Sequence, residues 1–335
     1  MSEENNEDFN NLDNLELQNG ATTCIKNKKV LLVIIILILI IICATGVVLY
    51  FFIFSKKKKK KCYLGFKLVD GKCLENYSFK AEYYVDQKNK TIDLIYKTYK
   101  DKILELIIDG NRINEINTNY TFSSKGFHTV YILLNIKEMT SFEYMFAFFR
   151  EMTSIHFSSL FNTENITDMA YMFCAAESLT SIDVSILNTE KVEKMNSMFV
   201  SMRYLKSIDI SMFKTQNLLS TSYMFEDDTN LASVKLPTFN SDKLDRIDHM
   251  FYGCPSLKSV DLSNFNFPNL KFMRCLFSND YSLEYVNFTG FNSPNVEELF
   301  YVFANCYSLK SVDLSSIISN GTILLLLICF LVVGL

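Results

Sequence analysis

MFYGCPSLKSVDLSNFNFPNLKFM, residues 250–273, decides the fold, because close copies of it recur along the second half of the 335-residue chain. Aligned on the Met-Phe pair or its equivalent, one landmark falls at Phe146, Phe173, Phe199, Phe225, Phe251, Phe277 and Phe303. The spacing is 27 residues once and 26 residues five times. A second landmark keeps the same beat at Ile155, Ile182, Ile208, Val234, Val260, Val286 and Val312. A register held this long means that one structural unit is written repeatedly and stacked on itself, since no unit of this length buries both of its faces alone.

Each unit has two halves. The first is LTSIDVS (179–185), echoed by LKSIDIS (205–211), LASVKLP (231–237), LKSVDLS (257–263), LEYVNFT (283–289) and LKSVDLS (309–315). In this L-x-x-L-x-L pattern the first, fourth and sixth residues point inward, while the third and fifth face solvent. The second half, as in VEKMNSMF (192–199) or LDRIDHMF (244–251), carries apolar residues at helical spacing and predicts a short helix or 3₁₀ turn behind the strand. Phe213, Phe239, Phe265 and Phe291 fill the gap between the halves. The expected fold class is a leucine-rich-repeat solenoid, a parallel strand ladder with short helical or 3₁₀ returns, preceded by a small β-rich cap and one N-terminal transmembrane helix.

The unit in residues 250–273, and VFANCYSLKSVDLSSI in 302–317, resembles the BspA-like leucine-rich repeat family, which includes the repeat of mycoplasma-type surface lipoproteins. The resemblance covers about half the chain. It implies a cell-surface protein associated with adhesion to hosts, matrix or other cells. Two departures stand out: Lys235 and Pro237 occupy places usually held by Asp and Ser, and Cys keeps its repeat position only at Cys254 and Cys306.

Outside the array the chain divides into an acidic, Asn-rich tail (1–29), an apolar segment (30–54), a Lys-rich stretch (55–74), a cap (75–135), the repeats (136–317) and an apolar tail (318–335). Residues 30–54 run for 25 residues without a charge, about 37 Å as a helix, which predicts an uncleaved transmembrane anchor. The six lysines at 56–61 favour, by the positive-inside rule, a cytoplasmic C-terminal part; a headgroup contact, a stop signal and a low-complexity spacer all account for them. Cys62 and Cys73 instead suit a disulfide loop in an oxidising compartment, with two free thiols as the alternative. Glycosylation sequons lie at Asn76, Asn89, Asn119, Asn165, Asn287 and Asn320, but about four would arise by chance in such a composition and they decide little. In the cap, SFKAEYYV (78–85), TIDLIYKTY (91–99), LELIIDG (104–110) and HTVYILL (128–134) read as strands, the last starting the ladder. The tail TILLLLICFLVVGL (322–335) fits a second, partly inserted segment, a lipid-anchor signal or a truncated array end.

Chemistry has little to work with. His128, His156 and His249 fall in different units, none near a nucleophile at catalytic spacing, and no glycine loop cradles phosphate. No enzyme, cofactor or nucleic-acid partner is expected; the net charge of -4 mixes both signs along the chain. The fifth strand position stacks Asp183, Asp209, Lys235, Asp261, Asn287 and Asp313, a row in which neighbouring Asp183 and Asp209 would repel. One row cannot wrap a calcium ion, so a solvated face is the simpler account and no metal is expected. The third position is Ser154, Ser181, Ser207, Ser233, Ser259, Tyr285 and Ser311, in which Tyr285 is the one large contact residue. The expected function is a single-pass plasma-membrane protein whose extracellular array binds protein or glycan partners, a glycoprotein if the sequons are used. A membrane-tethered cytoplasmic scaffold is the alternative.

Overall fold

The seven landmark phenylalanines form a single column of rings through the core of a computed structural model, which describes residues 66–69, 72–75, 77–315 and 317. Successive centroids lie 5.4–5.8 Å apart, with ring planes within 3–18° of parallel, from Phe146 through to Phe303. All seven are fully buried. Stacking of this kind adds to the free energy gained by removing each ring from water, roughly 0.5–1.5 kcal/mol per pair.

The backbone around each ring explains why the units stack. The residue two before each landmark (Tyr144, Tyr171, Ser197, Tyr223, His249, Cys275, Tyr301) has φ between 53° and 63°. The residue two after it (Phe148, Ala175, Ser201, Asp227, Gly253, Asn279, Asn305) has φ between 54° and 72°. A left-handed residue at every fourth place ends each right-handed run before it becomes a helix. Alternate N–H groups then point along the stack. At all six steps the landmark N–H donates to the carbonyl just before the next landmark, as in Phe146 to Met172 (2.9 Å), Phe199 to Met224 (3.0 Å) and Phe277 to Val302 (2.8 Å). The intervening N–H groups close turns within a rung, as in Ala147 to Tyr144 (2.9 Å) and Tyr252 to His249 (3.1 Å).

The expected helical or 3₁₀ returns are therefore corrected to chains of turns. A string of linked turns brings inward residues round every three to four positions, as a helix does, so Val192, Met195, Met198 and Phe199 are buried in either arrangement. Among the described residues the only helix is a six-residue 3₁₀ segment, Lys97–Lys102, which belongs to the cap. The expected transmembrane component is corrected as well: no helix among the described residues is long and apolar enough to cross a membrane. Residues 30–54 themselves, like the tail 318–335, lie outside the described residues.

In chain order the strands are β1 (Phe66–Val69), β2 (Lys72–Glu75), β3 (Phe79–Val85), β4 (Lys90–Asp93), β5 (Ile103–Ile108), β6 (Asn111–Arg112), β7 (Asn119–Phe122), β8 (Gly126–Leu134) and β9 (Met152–Phe157). The short array strands follow: β10 (Ser207–Asp209), β11 (Ser233–Lys235), β12 (Ser259–Asp261), β13 (Tyr285–Asn287) and β14 (Ser311–Val312). The array strands are parallel and in register at a 26-residue offset, but they pair in two patches, β10 with β11 and β12 with β13 and β14. The stretch 179–185 forms no strand. The turn side, with its unbroken ladder, is thus the more continuous of the two.

The cap is a five-stranded antiparallel sheet ordered β6-β5-β8-β3-β9, together with the hairpin β1-β2 and a two-stranded antiparallel sheet of β4 and β7. HTVYILL, in β8, does not start the ladder: β3 lies between it and β9, the strand of the first rung, and runs antiparallel to both. Alternation in a sequence fixes which faces are buried and leaves strand direction open. The cap also completes the turn side. Tyr96 N–H donates to Met145 carbonyl (3.0 Å), the bond that a preceding landmark would make. The Tyr99 hydroxyl donates to Glu143 carbonyl (2.8 Å), with Ser141 carbonyl at 3.4 Å. In later rungs the carbonyls equivalent to these are met by backbone N–H groups, for example Lys194 by Met169 (2.9 Å) and Asn196 by Tyr171 (3.1 Å). Phe79 seats its ring edge-on against Phe146 at 4.9 Å, closing the column.

Replacing Tyr99 by Phe removes only the oxygen that caps the first rung. Leaving a sheltered carbonyl unmet costs about 1–3 kcal/mol. Urea denaturation should show a lower midpoint with an unchanged slope, and a variant as stable as the parent would refute the capping role.

Candidate functional site

The strand face presents a continuous row of small side chains to solvent. Ser154, Ser181, Ser207, Ser233, Ser259, Tyr285 and Ser311 are all exposed, and Tyr285 is 51% exposed. The face continues onto the cap sheet, because β9 and β3 are paired: His156 opposes Lys80 and Ser154 opposes Glu82.

The row beside the serines is occupied with structural work. Asp183, Asp209, Asp261 and Asp313 each accept, through one side-chain oxygen, the N–H of the residue two ahead: Ser185 (3.0 Å), Ser211 (3.1 Å), Ser263 (3.0 Å) and Ser315 (2.9 Å). Asn287 does the same for Thr289 (3.0 Å). These are Asx turns that reverse the chain after the strand. Lys235 departs from the row for a physical reason: the residue two ahead of it is Pro237, which has no N–H to be accepted. Its ammonium reaches Asp209 instead (2.9 Å), and Asn287 donates its amide to Asp261 (3.0 Å). The hydroxyl of Ser211 and the Lys235 ammonium draw the Asp209 carboxyl down to about 2. Hydrogen bonds from Ser185, Ser263 and Ser315 likewise hold Asp183, Asp261 and Asp313 below the usual carboxylate range. The repulsion expected between Asp183 and Asp209 is thus met by turn N–H groups and by Lys235. Among the described residues no three His, Cys, Asp or Glu side chains converge as metal ligands.

The structure does not bring the remaining candidates together. Cys73 lies in β2 opposite Leu68, whereas Cys62 falls outside the described residues. Asn89 is in an exposed turn with φ 57°, and exposed Asn119 begins β7. Exposed Asn165 accepts from the Lys191 ammonium (3.0 Å), and Asn76 and Asn320 fall outside the described residues. His128 lies between the Asp109 carboxylate (2.6 Å) and Ser124 carbonyl (3.0 Å) in the cap, while His249 stacks on Tyr223 at 4.9 Å in the array.

Two features escaped the reading of the sequence. Tyr281 and Tyr307, one rung apart, stack at 5.6 Å with planes 7° apart and are 47% and 61% exposed, in the same two rungs as Tyr285 and Ser311. Their 26-residue separation is visible in the sequence, but the column otherwise holds Arg150, Glu177, Arg203, Thr229 and Pro255, so no pattern announces it. The second feature is a buried polar column, Asp228, Cys254, Asp280 and Cys306, whose members follow one another at the repeat period three residues past the landmark. Met202 N–H donates to Asp228 Oδ1 (2.7 Å) and Cys254 N–H to Asp280 Oδ1 (2.7 Å). The thiols of Cys254 and Cys306 donate to the carbonyls of Phe225 (3.0 Å) and Phe277 (2.9 Å). Oδ2 of each aspartate is buried without a partner. Burial pushes both carboxyls well above their ordinary values, which favours their protonated form. Burial, with help from neighbouring Asp227, raises Glu226 to about 7.

The sequence profile of the family described as "Mycoplasma protein of unknown function, DUF285" matches residues 140–233 and again 201–317, together more than half of the chain. The chain belongs to this family. Overlapping DUF285 matches are what a repeated unit produces, and they span the rungs described above. No curated protein matches. A solved leucine-rich repeat protein from Bacteroides ovatus ATCC 8483 is similar at 15% identity over 60% of this chain and 72% of that one, with a TM-score of 0.20. The DUF285 chain is a repeat protein.

The buried acids carry a pH signature. A carboxyl whose folded pKa is raised stabilises the fold fully below its unfolded value and loses that contribution as pH rises through the folded value, near 7 for Glu226. The thermal midpoint should therefore fall between pH 5 and pH 8. Asp228→Asn with Asp280→Asn should flatten the fall and Glu226→Gln should flatten it further, as read by circular dichroism; a double variant with the parental slope would contradict the assignment.

Proposed function

We propose that the chain is a non-catalytic recognition protein that presents its strand face to a protein or glycan partner, with the tyrosines of the last rungs as its anchor. The observation that carries this reading is the exposure of Tyr285 on a face whose carboxylates are otherwise committed to turns, with the exposed, stacked Tyr281 and Tyr307 in the same two rungs. Tyrosine combines a large apolar ring with a polar tip and loses little freedom on binding, which suits it to anchoring an interface. Small hydroxyls elsewhere on the face allow close approach without burying charge. The likeness of the repeat unit to BspA-like proteins supports display at the cell surface and a role in adhesion.

Tyr285→Ala combined with Tyr307→Ala should weaken capture of the full chain's ligand on arrays of matrix proteins and glycans by about tenfold or more, with folding unchanged by circular dichroism. Capture that survives the loss of both rings would discard the strand face as the contact surface. Display is tested separately, with a tag inserted beside Asn305 and external protease added to intact cells: cleavage is expected, and protection would remove the surface reading.

A further inference from the structure

At the opposite end of the strand face, where the cap meets the first rungs, lies an open groove of about 410 Å³. One wall is an aromatic pair. Tyr84 on β3 and Phe127 on β8 are register partners, with ring centroids 5.1 Å apart, and they are 39% and 71% exposed. Phe127 is the most exposed large apolar side chain among the described residues. Apolar surface of this kind, standing bare beside a cavity, marks a contact site more often than an isolated exposed leucine does.

The other wall is charged but balanced. Lys90 bridges Asp86 (2.9 Å) and Glu151 (2.9 Å), and the Arg150 guanidinium lies 3.5 Å from Glu177. Asp86 and Glu151 offset Lys90 and Arg150, so the lining carries no net charge. That balance discriminates between ligand classes. An ionic ligand would meet a like charge for every opposite one, and an apolar ligand would strip water from four charges with nothing to replace it. A ligand with one apolar face and many neutral hydroxyls escapes both penalties: its C–H face covers the two rings, and its hydroxyls donate to the carboxylates and accept from the ammonium and guanidinium groups. The bridging Lys90 holds those acceptors in place before binding, which lowers the entropy to be lost. The cavity is also of the size that small-ligand sites occupy, about 300–1,000 Å³.

We propose that this groove binds a neutral pyranose of a glycan, stacked on Tyr84 and Phe127. The proposal rests on the reading of the chain as a recognition protein and names one partner class for it. Saturation-transfer NMR on the full chain supplies the test, with the methyl glycosides of glucose, galactose, mannose and N-acetylglucosamine as neutral probes and N-acetylneuraminic and glucuronic acids as acidic ones. Transfer to the ring C–H protons of at least one neutral glycoside is expected. Phe127→Ala, a change at a side chain exposed enough to leave folding intact, should weaken that binding about tenfold, while Tyr285→Ala should leave it unaltered. Absence of transfer from every neutral sugar, preference for the acidic sugars, or binding indifferent to Phe127→Ala would each overturn the groove assignment. Loss of array capture in the Tyr285 and Tyr307 variant alongside any of those results would retire the groove and leave the strand-face reading standing.

Discussion

The positive φ angles two residues on either side of each landmark phenylalanine are the constraint on which the rest of this architecture depends. They turn alternate N–H groups out of the rung and along the stack, where each finds a carbonyl one rung on. A helix in the same place would satisfy its own backbone and have no polar reason to sit at a fixed height above its neighbour. Here the backbone is satisfied only if the next rung is present. Register, height and ring stacking are therefore set together, and the phenylalanine column follows from the ladder as much as it supports it.

A chain that hydrogen-bonds forward from rung to rung needs closure at its first rung, where no earlier N–H groups exist. The cap supplies three substitutes of different kinds: a backbone N–H at Tyr96, a phenolic hydroxyl at Tyr99 and a ring edge at Phe79. None belongs to a repeat. The β3 strand closes the strand side by pairing antiparallel with β9, which spares the crossover a parallel strand would require. This arrangement also places the cap's outer sheet face edge to edge with the array's strand face, so that one polar surface runs from the groove to the last rungs.

The period, the number of rungs, the inward strand positions and the outward serine row were legible because they depend on burial alone, and burial leaves a periodic mark. The turn chain was not. Val192, Met195, Met198 and Phe199 occupy the places a helix would give them, while ten of the fourteen left-handed positions carry Tyr, Ser, His, Cys, Phe or Ala, and the types that usually advertise positive φ stand only at Asp227, Gly253, Asn279 and Asn305, too few to mark the pattern in every rung. Even Gly253 is partly a matter of room, since a Cβ there would stand 2.5 Å from Asp227 Oδ1. The aspartate row was visible but its role was not: an Asp followed two residues later by Ser is an Asx turn only when the chain reverses there. The pairing of Lys235 with Pro237 was the clue, because both departures from the consensus vanish together once the carboxylate is understood as an acceptor for the N–H that proline lacks.

The buried acids show how such an array accommodates polar residues. Asp228 and Asp280 sit in alternate rungs, each followed by a cysteine, so no two carboxyls of the column are neighbours along the stack. Adjacent rungs would place two desolvated carboxyls one ring-spacing apart, where ionising either would be opposed by the other as well as by burial. The intervening thiol is small, donates its weak hydrogen bond to a carbonyl of an earlier rung, and leaves the aspartate Oδ1 to the backbone N–H beside it. Because each rung contacts chiefly its two neighbours, a costly residue needs compatible company only at the step before and the step after. The same locality lets the exposed columns change chemistry from rung to rung without disturbing the ladder, which is why tyrosines can gather in the last rungs and an aromatic groove can form beside the first.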